Sequence, residues 1–384
     1  MPIDRRTFMT SLGTALTLGA SPALLSGCVA PAARARNFTP SGMPLRRVRV
    51  ADDRIIRTVV GLRPFRPSGF RVAAERFGDK TLVHNYGHGG GGWTLSWGTA
   101  HLAMELASET GRREAAVLGC GIVGLTTARM LQRHGWDVTI YARELPPDTT
   151  SNIAGGQWSP ASVYDEEMMT PEFRAQFDRA LRLSYRYFQE LVGPRYGVRW
   201  ISNYILRDAP ADPADDMRVE LRDVYPQLRD LRPDQHPFPV SHAQHFDTML
   251  MEPHFFLPAI IEDFRRAGGR IEVRAFASPE EVATLAQPVI MNCTGLGAGA
   301  LFGDREIMPI KGQLTILKPQ AEVEYIVIRN GNYMFPRSDG ILLGGTHERG
   351  NWSLEPDLEA KARIIAAHRD FFARMDDPLF RTFG

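Results

Sequence analysis

The chain has 384 residues, 43% hydrophobic and 23% charged, a balance that suits a folded protein of two domains or one large α/β unit. A formal net charge of +1 excludes a general basic field for nucleic acid. Three cysteines and no metal-ligand spacing exclude a disulfide framework and point to no metal centre.

The first 28 residues stand apart. DRRTFM sets Arg5 and Arg6 ahead of LGTALTLGASPALL, and the stretch ends in LSGC at Cys28. Paired arginines before a short apolar run form the pattern of a twin-arginine export signal, and LSGC resembles a bacterial lipoprotein cleavage box. Ser21 and Pro22 interrupt the run, which is too short to span a membrane. The expectation is export in folded form by the twin-arginine machinery, a periplasmic address, and a membrane hold through lipid on Cys28 alone. Loss of Asp4, Arg5 and Arg6 with the leader leaves a formally neutral mature chain. Cys120 and Cys293 remain, in apolar contexts that read as buried thiols.

Residues 29–47, rich in Ala, Pro, Arg and Ser, read as a tether. Segment 48–107 carries β-like runs in RVRVADDRIIRTVVGLRPFRP and TLVHNY. It then holds four consecutive glycines in HNYGHGGGGWTLSWG (84–98) and helical apolar spacing over 100–107. SETGRRE (108–114) is a polar linker. AAVLGCGIVGLTTARMLQRHGWDVTIYARE is a strand–turn–helix–strand unit, with Val123, Leu125, Ala128 and Leu131 at helical spacing. FDTMLMEPHFFLPAIIEDFRRAGGRIEVRAF (246–276) reads as a helix followed by a strand. PVIMNCTGLGAGAL reads as a further strand ending in a glycine turn. The alternation predicts a mostly parallel α/β nucleotide domain from 115–160 and 246–305, interleaved with a second, mixed-sheet domain from 161–245 and 306–384.

Gly119, Gly121 and Gly124 form G-x-G-x-x-G between a strand and a helix. The first glycine permits the tight turn, the second lets backbone approach a pyrophosphate, and the third allows close helix–strand packing. An acidic residue is expected at the end of the next strand to hold a ribose, but Ala142 stands there, followed by Arg143 and Glu144. That departure weakens a simple NAD reading and leaves FAD open. A second strand ending in Thr294-Gly295 favours a two-part FAD domain.

Taken together, these residues resemble the D-amino-acid oxidases. GCGIVGLTTARMLQRHGWDVTIYARELPPDTTSNIAGGQWSP looks like their N-terminal flavin motif and NCTGLGAGALFGDREIMPIKGQ like their mid-chain motif. NYMFPRSDGILLGGTHERGNW is similar to their substrate-domain strands, and GLRPFRPSGFRV with HNYGHGGGGWTLSWG to their C-terminal motifs. The order differs, because the segment that closes the family chain here precedes the dinucleotide unit. The sequence therefore reads as a circular permutation, with SETGRRE joining the family's natural ends.

The resemblance implies FAD as cofactor and a D-amino acid as substrate. It implies hydride transfer from the α-carbon to the flavin, with oxygen or a respiratory quinone as the acceptor. A glycine- or sarcosine-type amine oxidase is the alternative on the same fold, and a lipoprotein that merely retains flavin is the non-catalytic one. Arg63 matches the family's substrate-carboxylate clamp and Tyr333 its hydroxyl partner, while Arg66 reads as structural. Gly89, Gly90 and Gly92 are expected along the flavin, with backbone N–H groups there stabilising charge; Trp93 and Thr94 begin the helix that follows. Thr150, Ser151, Gly155, Gly156 and Gln157 match a second flavin loop, and Phe276 the adenosine end. Arg329 replaces a second pocket tyrosine, and together with His347 it points towards an acidic substrate side chain. His84 and His88 read as structural hydrogen-bonding residues.

Overall fold

The computed structural model describes residues 44–210 and 216–377. The export signal, Cys28 and most of the tether lie outside them. Strand β1 (Ile55–Phe65) is followed by a hairpin, β2 (Arg71–Phe77) and β3 (Lys80–Tyr86), and by helix α1 (Gly92–Ser108). Then come β4 (Glu114–Leu118), α2 (Ile122–Arg133) and β5 (Asp137–Ala142). In α2 the residues at helical spacing, Ile122, Leu125, Ala128 and Leu131, are buried, while Val123 is only half-buried. The buried Thr126 and Thr127 return their hydroxyls to the carbonyls of Ile122 and Val123 at 2.9 and 2.7 Å.

The middle of the chain supplies α3 (Thr150–Ile153), α4 (Pro171–Glu190), β6 (Val198–Arg207), α5 (Met217–Glu220), β7 (Arg229–Leu231) and β8 (His242–Met251). Helix α4 starts cleanly. Pro171 occupies its first turn, and the Thr170 hydroxyl accepts the Phe173 N–H at 3.2 Å. Next are α6 (Pro253–Arg266), β9 (Arg270–Val273), α7 (Pro279–Ala283), β10 (Val289–Asn292) and α8 (Gly297–Phe302). The last part is β11 (Met308–Leu317), β12 (Tyr325–Arg329), β13 (Asn332–Arg337), β14 (Gly340–Gly344), β15 (Glu348–Arg349) and α9 (Leu358–Ala373).

Two sheets result, giving the expected mixed α/β fold. The six-stranded sheet runs β2-β3-β10-β4-β5-β9. It is parallel from β3 to β9, with β2 antiparallel at one edge. The nine-stranded sheet runs β1-β11-β14-β13-β12-β6-β8-β7, with β15 also on β11. Segment 48–107 therefore serves both sheets: β1 joins the nine-stranded one, and the hairpin the other. One expectation fails locally. Residues 246–251 do not open a helix but complete β8, which lies between β6 and β7. Most of this strand is buried on both faces, so the alternation that marks a half-exposed strand is lost. No helix among the described residues is long and apolar enough to cross a membrane.

Candidate active site

A cavity of about 1800 Å³ runs from the carboxyl ends of β4, β5 and β10 to the inner face of β1, β11 and β13. At its first end the wall is backbone. A Cβ on Gly119, which has φ +108°, would lie 2.6 Å from the Cys293 carbonyl oxygen. One on Gly124 would lie 2.1 Å from the Gly119 carbonyl oxygen. No side chain fits at either position, so the turn stays open to a phosphate and α2 packs directly on it. The Ser151 hydroxyl accepts the Ile122 N–H at 2.9 Å, tying the second loop to the start of α2. Gly155, Gly156, Gln157, Thr150, Thr294 and Gly295 continue this wall. Beyond it Arg143 ion-pairs with Glu144 at 3.1 Å, and the Arg274 guanidinium stacks 4.6 Å from the Phe276 ring centre. A cradle of glycines at a helix start, prolonged by an aromatic shelf, fits a dinucleotide such as FAD.

The glycine run 89–92 meets this cradle from the other side. Gly89, Gly90, Gly92 and Trp93 all line the cavity. Two expectations are corrected here. The Gly90 N–H donates to the Ser162 carbonyl at 2.9 Å and the Gly91 N–H to the His88 carbonyl at 2.9 Å, so neither is left for a ligand. The amides available at this end belong to the first turn of α1, whose intrahelical partners are missing by geometry. Thr94 is off the wall altogether. It is buried, and its hydroxyl donates to the Ser159 carbonyl at 2.8 Å while accepting the Ser159 N–H at 2.9 Å, which fastens α1 to residues 157–160.

At the other end the wall is side chain. Arg63 projects from β1 over β11, where Gly61 faces Gly312 in the ladder. A Cβ on Gly312 would lie 2.3 Å from Arg63 Nη1, so this glycine is the seat of the guanidinium. Arg63 Nη2 donates to the Tyr333 hydroxyl at 3.3 Å, and Nη1 reaches the Thr346 carbonyl at 3.5 Å. Tyr333 stacks on Phe335, 4.8 Å between ring centres, and lies against the bare backbone of Gly344 and Gly345. Arg66, by contrast, pairs with Asp304 at 2.8 Å and Glu306 at 3.1 Å and takes a structural part.

Both early histidines are held inside. The buried His84 ring contacts the Asn292 side-chain amide at 3.0 Å, and burial, then Arg71, lowers its pKa. His88 shares a hydrogen bond with Thr99 at 3.0 Å, and burial pushes its pKa down to about 3. Arg329 turns away from the cavity to bond both oxygens of Asp208 at 3.0 Å, while His347 does line the wall. Cys120 and Cys293 are free, buried thiols, pushed up to about 12 by burial.

Sequence reasoning passed over Gly312, Trp352 and Leu354, all on the wall. Gly312 sits inside the quoted IKGQ stretch, and only the β1–β11 register shows what it faces. The model for the DAO family, FAD-dependent oxidoreductases, matches residues 21–106 and 114–384. The chain belongs to this family. As a DAO-family protein it is an FAD-dependent oxidoreductase. It is 34% identical over 263 residues to a D-amino-acid oxidase of Rubrobacter xylanophilus, covering 65% of this chain and 74% of that one. It is 32% identical to a D-amino-acid oxidase of Streptomyces coelicolor, covering 66% and 75%. It is 29% identical to human D-aspartate oxidase, covering 65% and 73%. Among solved structures, glycine oxidase from Geobacillus kaustophilus shares the fold. The TM-score is 0.52 at 17% identity, over 67% of this chain and 78% of that one.

Proposed function

We propose that this chain oxidises D-amino acids at the α-carbon, giving a 2-imino acid that water converts to the 2-oxo acid and ammonia. The observation that carries the reading is the Arg63–Tyr333 pair, 3.3 Å apart, on the wall of the glycine cradle. Bound FAD supplies the acceptor for the two electrons and the α-hydrogen. Arg63 holds the substrate carboxylate through parallel N–H bonds, and the Tyr333 hydroxyl adds a third contact. That orientation turns the α-carbon towards the cradle. The amides of the first turn of α1 face charge that develops across from it. His84 and His88, buried and neutral, hold structure and take no proton.

A panel of D- and L-amino acids, scored by anaerobic loss of the flavin band, tests this. D-isomers bleach the flavin, and reduction by L-isomers alone sinks the stereochemistry. Reaction confined to glycine and N-methylglycine supports the amine-oxidase alternative. The final acceptor is oxygen, with release of peroxide, or a quinone; peroxide release in air against anaerobic turnover with a quinone analogue separates them. Residues 1–28 support export, with a lipid on Cys28; mass spectrometry of the mature protein reads both.

We also propose that the chain is circularly permuted. The family model breaks at residues 107–113. The described ends adjoin: the Arg47 N–H donates to the Asp377 carboxylate at 2.9 Å, and its guanidinium to the Met375 carbonyl at 2.6 Å. A tight turn with Gly111 at φ +68° connects α1 to β4. A chain recut to begin at Glu114, with Asp377 linked to Val48 and the end at Ser108, is expected to bind FAD as the original does. Failure of that chain to take up flavin counts against the permutation.

A further inference from the structure

The reading of this site as a D-amino-acid oxidase leaves open which side chains it accepts, and the charges around Arg63 decide that. Five basic side chains reach the cavity wall among the described residues: Arg63, Arg143, Arg274, His88 and His347. Arg143 and Arg274 lie at the nucleotide end, on Glu144 and Phe276. His88 is bonded to Thr99 inside the fold. Arg63 is committed to the α-carboxylate. His347 stands on the wall with its pKa lowered by partial desolvation, then by the neighbouring Arg63 and Arg349, which disfavours its charged form.

The nearby cations are spent as well. Arg349 donates through both terminal nitrogens to Asp165, and Arg329 is held by Asp208 outside the cavity. Among the described residues, a side-chain carboxylate entering beside Arg63 would meet no further arginine or lysine on the wall free of another partner, and a desolvated, unpaired charge is strongly disfavoured.

The outer wall has the opposite character. Trp352 and Leu354 line the cavity yet stay 60% and 63% exposed, and Leu314 and Ile328 add apolar surface to the same cavity. Two large apolar side chains left open on one short loop mark a binding surface more than a core. The loop presenting them is fixed by its own polar groups. The Asn351 side chain accepts the Ser353 N–H at 2.9 Å, and the Ser353 hydroxyl accepts the Glu355 N–H at 3.1 Å. At its base the Asp357 N–H donates to the Gln313 side-chain oxygen at 2.7 Å. The two side chains are therefore held out over the cavity by an ordered turn.

We propose that Trp352 and Leu354 form the apolar wall of a side-chain subsite, which selects D-amino acids with large uncharged side chains and rejects D-aspartate and D-glutamate. This runs opposite to the acidic preference that Arg329 and His347 suggest in the sequence.

Steady-state kcat/KM of the flavin-loaded enzyme tests it on D-phenylalanine, D-leucine, D-alanine, D-aspartate and D-glutamate. D-phenylalanine and D-leucine are expected about a hundredfold above the two acidic substrates, the scale on which a mismatched polar group is refused. Trp352→Ala is expected to lower kcat/KM for D-phenylalanine about tenfold more than for D-alanine, chiefly through KM. Both positions are exposed, so flavin content stays that of the parent. Leu354→Arg supplies the missing cation and raises kcat/KM for D-glutamate while D-phenylalanine falls. An enzyme that oxidises D-alanine but prefers D-aspartate overturns this inference alone, as does Trp352→Ala lowering all substrates equally. If no D-amino acid reacts, the underlying reading fails and takes this one with it.

Discussion

The two ends of the cavity are built from different materials. The cradle at the carboxyl ends of β4 and β10 is bare backbone, with Gly119 and Gly124 packed so closely that a methyl group has nowhere to go. The clamp between β1 and β13 is side chain, with Arg63 and Tyr333 brought together from positions 270 apart in sequence. Backbone packing leaves no graded response, since a turn either closes around a phosphate or does not. Side chains on different strands can be weakened one contact at a time. The cradle should thus fail completely and the clamp by degrees.

The largest effect is expected at the cradle. Gly124→Val puts carbon where 2.1 Å remains to the Gly119 carbonyl oxygen, and the purified protein should carry no flavin absorbance. A variant that keeps its full flavin would erase the contrast. Arg63→Leu should keep flavin and lose about 10²–10⁴-fold in kcat/KM, the scale of two hydrogen bonds to a charged group. Gly312→Ala leaves Arg63 in place chemically but lifts it off its seat; an increase in KM of about tenfold or more with flavin retained is expected. Equal loss of flavin and activity in that variant would make Gly312 merely structural. Tyr333→Phe removes one hydroxyl next to Arg63 and should cost about tenfold in kcat/KM.

The smallest effect near neutral pH concerns the join between the two ends. His88 forms a bridge with Phe65 at the end of β1 and precedes the glycine run. Its folded pKa is lowered to about 3, below the ordinary value of 6.5, so below about pH 6.5 the unfolded chain binds the proton and the folded one does not. The stability it contributes is complete above that value and falls with acid, by up to about 1.4 kcal/mol per pH unit, until pH nears 3. Denaturant unfolding across pH 4–7 should show a shallower slope in His88→Gln than in the parent.

The cradle was legible because its signal is local. Three glycines at fixed spacing between an apolar strand and an amphipathic helix state their own purpose. Arg63 and Tyr333 came only through a family likeness, since nothing near either one names the other. Arg329 turns to Asp208, because strand position fixes where a residue sits but not which partner takes it. Gly90 lines the cavity, yet its N–H goes to Ser162, a residue that sequence spacing does not bring near. Residues 246–251 gave a wrong element because a strand buried on both faces has no period to read.

The register of β1 also constrains how the chain comes to fold. Its long pairing is with β11, and the Thr58 and Thr315 hydroxyls that meet across it at 3.3 Å are 257 positions apart. β3 likewise completes its pairing only with β10. On a ribosome the clamp strand therefore emerges early and waits, unpartnered, until most of the remaining chain has been synthesised. Pairings of such high contact order close slowly and leave apolar strands exposed to aggregation meanwhile. Yield should therefore respond to chaperone supply and growth temperature.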